Sequence, residues 1–159
     1  MMKSVGVVLL IATFAYSGVE GIYRYNSACG KAVYKKLTSN DVYSATRTCV
    51  SDPEGKAALT AIGRYGCGSY DFIVGPLKCE VGAAPYMKCV ARKLGYLNAD
   101  GSINNSKILA QYKTYATSAP KCSVAQYDFA VNKCGTTINN YAFLAKVACI
   151  AGAADQYTG

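Results

Sequence analysis

Histidine and tryptophan are missing from this 159-residue chain, and phenylalanine is scarce, at four residues. Without an imidazole, the chain cannot build a Ser/His/Asp or Cys/His nucleophilic centre, nor the usual zinc enzyme site. Acidic side chains are also few, nine against 17 lysines and arginines, which gives a net charge of +8. These absences indicate a binding protein rather than an enzyme, with no metal and no other cofactor.

Long apolar runs are lacking after the first 14 residues. Residues 5–14 are almost wholly apolar and follow Lys3, a pattern that is typical of a secretory signal peptide. The run is too short to span a membrane, which takes about 20 residues. We predict that residues 1–17 are a signal peptide, with cleavage after Gly21 as the alternative. Residues 18–159 would then form a single secreted, extracellular domain.

Eight cysteines in an exported chain are expected to form four disulfide bonds. No CxxC pair repeats at zinc-finger spacing, so a metal site is not predicted. Eight cysteines allow 105 pairings, and their spacing alone does not choose among them. The cysteines are Cys29, Cys49, Cys67, Cys79, Cys89, Cys122, Cys134 and Cys149.

Apolar side chains recur at helical spacing, with almost none of the alternation that marks a β-strand. The predicted fold class is all-α, with six to seven short helices. One helix is expected to begin after Asp52, an N-cap followed by a first-turn Pro53 and an early Glu54, and to end before Gly66. The other expected helices cover about 29–37, 42–50, 84–97, 108 to before Pro120, 124–134, and the chain from about Ile138. A further short helix is expected over 70–74, inside an otherwise irregular stretch.

Two segments resemble insect odorant-binding proteins of the PBP/GOBP family. Residues 85–105, PYMKCVARKLGYLNADGSINN, are similar to that family's third-helix region, where a cysteine in a basic amphipathic helix precedes an acidic-Gly turn. Residues 129–150, FAVNKCGTTINNYAFLAKVACI, resemble the region of its fourth, fifth and sixth cysteines. Pro85 and Asn140 stand where the family has its second and fifth cysteines, which bond to each other. The chain therefore resembles a "minus-C" member that carries extra cysteines.

The resemblance also implies part of the disulfide pattern and the architecture. It implies the bonds Cys49–Cys89 and Cys134–Cys149, and for the four extra cysteines we expect Cys67–Cys79 and Cys29–Cys122. The implied architecture is a compact, disulfide-stapled bundle around an apolar cavity. Disulfides that constrain the unfolded chain would offset the instability caused by such a void.

A bundle of this kind is expected to carry a small hydrophobic ligand such as an odorant, a pheromone or a fatty acid. Further expected partners are a receptor or an acidic surface, but no nucleic acid, and the chain is expected to be a monomer or a weak dimer. The residues predicted to contact the ligand are Ile62, Tyr65, Tyr86, Met87, Val90, Leu94, Leu109, Tyr112, Tyr127, Leu144 and Ala148.

The core residues, the basic residues and the function each have alternative interpretations. An apolar residue at helical spacing is more often ordinary core filling than a ligand contact. The basic residues, such as Lys88, Arg92 and Lys93, indicate either a solvated helix face or attraction of an anionic head group. The alternative to a carrier is a cationic, membrane-active protein of antimicrobial or toxin-like type. A third interpretation is a structural protein with a filled core and an exposed apolar patch. The sequon at Asn104 predicts N-glycosylation.

Overall fold

The computed structural model describes residues 25–118 and 122–159. Seven α-helices form in this part of the chain, and its only β-type pairing is an isolated bridge between Leu97 and Ile103. The all-α prediction is confirmed, whereas the expected signal peptide lies outside the described residues. The helices are α1 (Ala28–Leu37), α2 (Asn40–Ser51), α3 (Pro53–Arg64), α4 (Leu77–Lys93), α5 (Asn105–Ser118), α6 (Val124–Cys134) and α7 (Phe143–Ala154).

Helix α7 is largely buried because it is apolar on nearly every side, with eight of its 12 residues buried. It packs against α1 and α6, and α5 contacts both of those helices. On the other side of the bundle, α4 packs against α2 and α3. The buried apolar side chains of all seven helices form one continuous cluster.

Four disulfide bonds join these elements, and all eight cysteines are paired. The structure contains the two bonds that the family resemblance implies and the two that were expected for the extra cysteines. They are Cys29–Cys122, Cys49–Cys89, Cys67–Cys79 and Cys134–Cys149.

The predicted start of α3 is confirmed. The Asp52 carboxylate accepts hydrogen bonds from the backbone N–H groups of Glu54 at 3.1 Å and Gly55 at 3.2 Å. These contacts satisfy two of the N–H groups that a helix leaves unpaired in its first turn. Pro53 follows at the first helical position, where its missing N–H has no consequence.

The prediction of a short helix over residues 70–74 is wrong. Asp71 Oδ1 accepts hydrogen bonds from the backbone N–H groups of Ile73 and Val74, both at 2.9 Å. This local side-chain bonding competes with helix formation. Phe72 also has a φ of 66°, a left-handed conformation that a helix does not continue through. The segment is a turn that places the Phe72 ring in the core, 5.1 Å from the Tyr86 ring.

Two predicted helix starts are also displaced. Helix α4 begins at Leu77 rather than near Ala84, so Pro85 lies inside it, at an exposed position. Helix α7 begins at Phe143 rather than near Ile138, because Asn140 and Tyr141 adopt φ values of 53° and 57°. Periodicity of apolar residues did not reveal either boundary, since both depend on local backbone conformation.

Candidate functional site

Ten of the eleven residues predicted to contact a ligand belong to the core of the bundle or pack against it. Leu94 is half-buried at the end of α4, and the other nine are buried. The structure therefore brings these ten together, in the helices α3 to α7. The nine buried residues are Ile62, Tyr86, Met87, Val90, Leu109, Tyr112, Tyr127, Leu144 and Ala148.

Tyr65 is the exception, and its expected inward orientation needs correction. The side chain is 71% exposed. Helical spacing from Ile62 would place Tyr65 on the same face, but α3 ends at Arg64, and Tyr65 is only its C-cap. Tyr65 therefore lies at the surface and is not a candidate for ligand contact.

Three buried tyrosines differ in how their hydroxyl groups are satisfied. The Tyr86 hydroxyl donates to the Thr46 carbonyl at 3.1 Å, and the Tyr127 hydroxyl donates to the Leu109 carbonyl at 2.8 Å. The Tyr112 hydroxyl is fully buried, and within the described residues it has no hydrogen-bond partner. Buried polar groups are paired in the great majority of cases, so this hydroxyl is unusual.

The Tyr112 hydroxyl lies near the Tyr96 and Tyr127 hydroxyls. Burial raises its pKa well above the ordinary value, and Tyr96, Tyr127 and the Asp41 carboxylate also contribute. Burial likewise raises the pKa of Tyr96, again with a contribution from Asp41. The two tyrosine hydroxyls influence each other, but their geometry falls short of a hydrogen bond. Both groups are therefore neutral potential donors at physiological pH.

A groove of about 780 Å³ opens to solvent beside Tyr96. It lies between the end of α1, the start of α2, the end of α4 and the outer face of α5. Among its described lining residues, three lysines and one aspartate give a charge of +2. The lining residues are Lys36, Asp41, Lys93, Leu94, Tyr96, Lys107, Ala110, Gln111, Thr114, Tyr115 and Ser118.

The three lysines of the groove differ in their contacts. Lys36 Nζ forms a salt bridge of 2.9 Å with Asp41 and also lies 5.7 Å from the centre of the Tyr115 ring. Lys107 Nζ lies beside Gly95, 3.7 Å from the position that a Cβ would occupy there. Lys93 and Lys107 form no ion pair in the part of the chain that the structure describes. Two uncompensated ammonium groups therefore line the groove.

Tyr96 separates this groove from the core. Its backbone N–H donates to the Ala91 carbonyl and its carbonyl accepts from the Asn104 N–H, both at 2.8 Å. The ring packs edge-on against the buried Phe143, with 5.3 Å between centroids. Sequence analysis did not single out Tyr96 because it follows the helix-ending Gly95 and so has no helical periodicity. The one sequence feature that could have pointed to Tyr96 is that an aromatic residue directly follows that glycine.

The predicted glycosylation site lies near the groove, at the start of α5. Asn104 Oδ1 accepts hydrogen bonds from the Lys107 backbone N–H at 3.0 Å and from the Ser106 hydroxyl at 3.1 Å. Asn104 therefore acts as the N-cap of α5. Its glycosylation stays a prediction.

Within residues 25–118 and 122–159, no group of three or more Cys, Asp or Glu side chains is arranged to hold a metal ion. Nor is any helix in those ranges long and apolar enough to cross a membrane.

Residues 78–151 match the model of the PBP/GOBP family. This segment runs from the first turn of α4 to near the end of α7, and it includes Tyr96, Lys107 and Tyr112. No curated protein and no solved structure matches the chain.

Proposed function

We propose that this chain, a member of the PBP/GOBP family, carries a small apolar ligand within its helical core. The family consists of secreted carriers of odorants and pheromones, which bind their ligands rather than transform them. In this chain the ligand would lie among the buried residues of α4, α5 and α7. The groove beside Tyr96 would be its entrance.

The observation that carries the proposal is the unsatisfied Tyr112 hydroxyl. A buried polar group without a partner costs about 1–3 kcal/mol. Tyr112 belongs to the same buried cluster as Val90 and Leu109, two of the apolar residues predicted to contact the ligand. A guest with an apolar body and one oxygen would bury its body against those residues and accept a hydrogen bond from Tyr112. The protein therefore has a specific donor for a ligand that is otherwise apolar.

The position of Tyr96 supports an entrance at the groove. Its ring is the boundary between the open groove and the buried Phe143, and its hydroxyl lies near that of Tyr112. A rotation of one side chain at this boundary would connect solvent to the core. The disulfide bonds keep the surrounding helices together during such a movement, since Cys49–Cys89 joins α2 to α4.

Displacement of a fluorescent apolar probe tests the proposal. N-phenyl-1-naphthylamine should bind the folded, oxidised protein with a dissociation constant on the order of micromolar, a typical result when apolar burial is offset by association costs. Long-chain alcohols, aldehydes and fatty acids should displace it. Absence of probe binding, together with absence of a co-purified ligand in native mass spectrometry, would contradict the carrier function.

The exposed apolar side chains of α4 favour a second candidate, action on membranes. Leu77 and Val81 lie one turn apart and are 68% and 51% exposed, and the neighbouring Val74 is 66% exposed. An apolar stripe on a basic protein is typical of binding to anionic lipid surfaces. Release of a trapped dye from vesicles that contain phosphatidylglycerol measures this activity. If leakage occurs without any uptake of the apolar probe, the second candidate replaces the first.

A further inference from the structure

We propose that the groove lined by Lys93, Lys107 and Tyr96 binds the carboxylate head group of the ligand, which makes long-chain carboxylic acids the preferred class. This inference rests on the proposed carrier function and names its substrate class. The apolar tail would extend past Tyr96 into the core, and the charged head would stay at the groove.

Charge is the first argument. The described lining of the groove contains three ammonium groups, and its one carboxylate, Asp41, is already paired with Lys36 at 2.9 Å. Lys93 and Lys107 have no ionic partner among the described residues. Two unpaired cations on one concave surface attract an anion, and the attraction is stronger in a partly enclosed groove than on a flat surface.

The hydrogen-bonding character of these groups is the second argument. Ammonium groups only donate hydrogen bonds, and the neutral Tyr96 phenol, which also lines the groove, has a hydroxyl that can donate one more. A carboxylate is an acceptor without donors, so it matches this set of groups better than an alcohol, an amide or an amine.

The remaining groove residues suit an anion that carries a hydrocarbon tail. The described lining contains no arginine, so the lysines would hold the head group as point charges rather than through a bidentate fork. Leu94 and Ala110 give the wall an apolar part on which the first methylene groups of a chain can lie. The groove therefore fits a compact monoanion that is attached to a hydrocarbon tail.

Titration calorimetry with dodecanoic acid and 1-dodecanol tests the inference, since the two ligands share a tail and differ in the head group. The wild-type protein should bind the acid roughly tenfold more tightly at pH 7.5 and low salt, because two charge-assisted contacts are added. The preference should shrink in 0.5 M NaCl, where charges are screened.

A double variant, Lys93→Gln with Lys107→Gln, should reduce the preference for the acid to about twofold or less, because the uncompensated charges are lost. Lys56→Gln with Arg64→Gln is the matched control, since it removes two positive charges from the exposed surface of α3, outside the groove. The preference should stay at the wild-type value in the control. Circular dichroism should show that all variants remain folded.

The outcomes separate this inference from the carrier function itself. If the wild type binds the alcohol and the acid equally well, the head-group site is refuted and the carrier function stands. If neither ligand binds, the carrier function is refuted as well. Dodecyl phosphate serves as a third ligand, and tighter binding of this compound than of the acid would overturn the assignment to carboxylates.

Discussion

The Asp155 carboxylate accepts a hydrogen bond of 2.9 Å from the backbone N–H of Ser27, 128 residues earlier in the chain. The Ser27 hydroxyl also donates to Asp155 and, as the N-cap of α1, accepts from the Gly30 N–H at 2.9 Å. The backbone N–H of Asn26 donates to the other carboxylate oxygen at 2.6 Å. One carboxylate thus joins the end of α7 to the start of α1.

This contact predicts a specific dependence of stability on pH. Burial acts to raise the pKa of Asp155, but hydrogen bonds from Ser27 and Asn26 outweigh it and hold the pKa below its usual value. A carboxyl group with a depressed pKa stabilises the fold above its unfolded pKa of about 3.9, and this contribution is lost as the pH falls through the folded pKa. Asp155→Asn should therefore lower the free energy of unfolding at pH 7 by about 1 kcal/mol, a modest value for a partly exposed group.

Urea denaturation at several pH values provides the measurement. The difference between wild type and Asp155→Asn should narrow between pH 5 and pH 2. Asp128→Asn is the control, because it removes a half-exposed ion pair with Lys113 and should change stability by less than about 1 kcal/mol. A constant difference across this pH range would show that the Asp155 charge is unimportant.

Two tyrosine substitutions should differ in their effect on the free energy of unfolding. Tyr112→Phe removes a buried hydroxyl that lacks a partner in the described structure, so the free energy of unfolding should rise by about 1 kcal/mol or stay the same. Tyr127→Phe removes the hydrogen bond to the Leu109 carbonyl and should lower it by about 1 kcal/mol. Thermal denaturation without ligand measures the stability of both variants. Equal destabilisation would show that the Tyr112 hydroxyl has a hydrogen-bond partner in solution.

Replacement of Val90 distinguishes a ligand pocket from a filled core. Val90 is fully buried on α4. If ligand occupies the space beside it, Val90→Trp should keep a melting temperature near the wild-type value and abolish binding of the fluorescent probe. In a packed core the same change costs about 1–3 kcal/mol through overpacking.

Val33→Trp is the matched control, since Val33 is equally buried on α1 but is not among the predicted ligand contacts. This variant should lose stability by about 1–3 kcal/mol. If both variants are destabilised to the same degree, Val90 is ordinary core.

The disulfide bonds should differ in their contribution to stability. Cys29–Cys122 joins residues 93 positions apart, and Cys67–Cys79 joins residues 12 apart. All four of these side chains are buried, so packing losses on replacement are comparable. In the chain-entropy account a longer loop stabilises more, about 4.7 against 3 kcal/mol. The variant Cys29→Ala with Cys122→Ala should therefore melt at a lower temperature than Cys67→Ala with Cys79→Ala.

Sequence reasoning succeeded where a local pattern decides the structure. Asp52, Pro53 and Glu54 specify a helix start by capping alone, and the structure confirms it. The resemblance to a known family, rather than spacing, supplied the pairing of Cys49 with Cys89. Reasoning failed for residues 70–74, where one Asp71 side chain bonds the backbone into a turn.

The ten ligand candidates that lie in the core or pack against it share helical periodicity, which is why the sequence predicted that they face inward. Tyr96 and Lys107 were missed for the opposite reason. Tyr96 lies in a turn, and Lys107 is one of many surface lysines that nothing local distinguishes from the others. Tyr65 was misplaced because periodicity does not show where α3 ends.

The amino-acid sequence by itself determined the absence of histidine chemistry, the all-α class and most of the inward-facing helical residues, since these follow from composition and from a period of 3.6 residues. Only the tertiary structure decided which charges meet in one groove and which buried hydroxyl has no partner within the described residues. Those properties depend on contacts between α1, α2, α4 and α5, which are far apart in the chain. Local periodicity carries no information about such distances. The groove and its lysines could therefore be identified only from the packed arrangement of the helices.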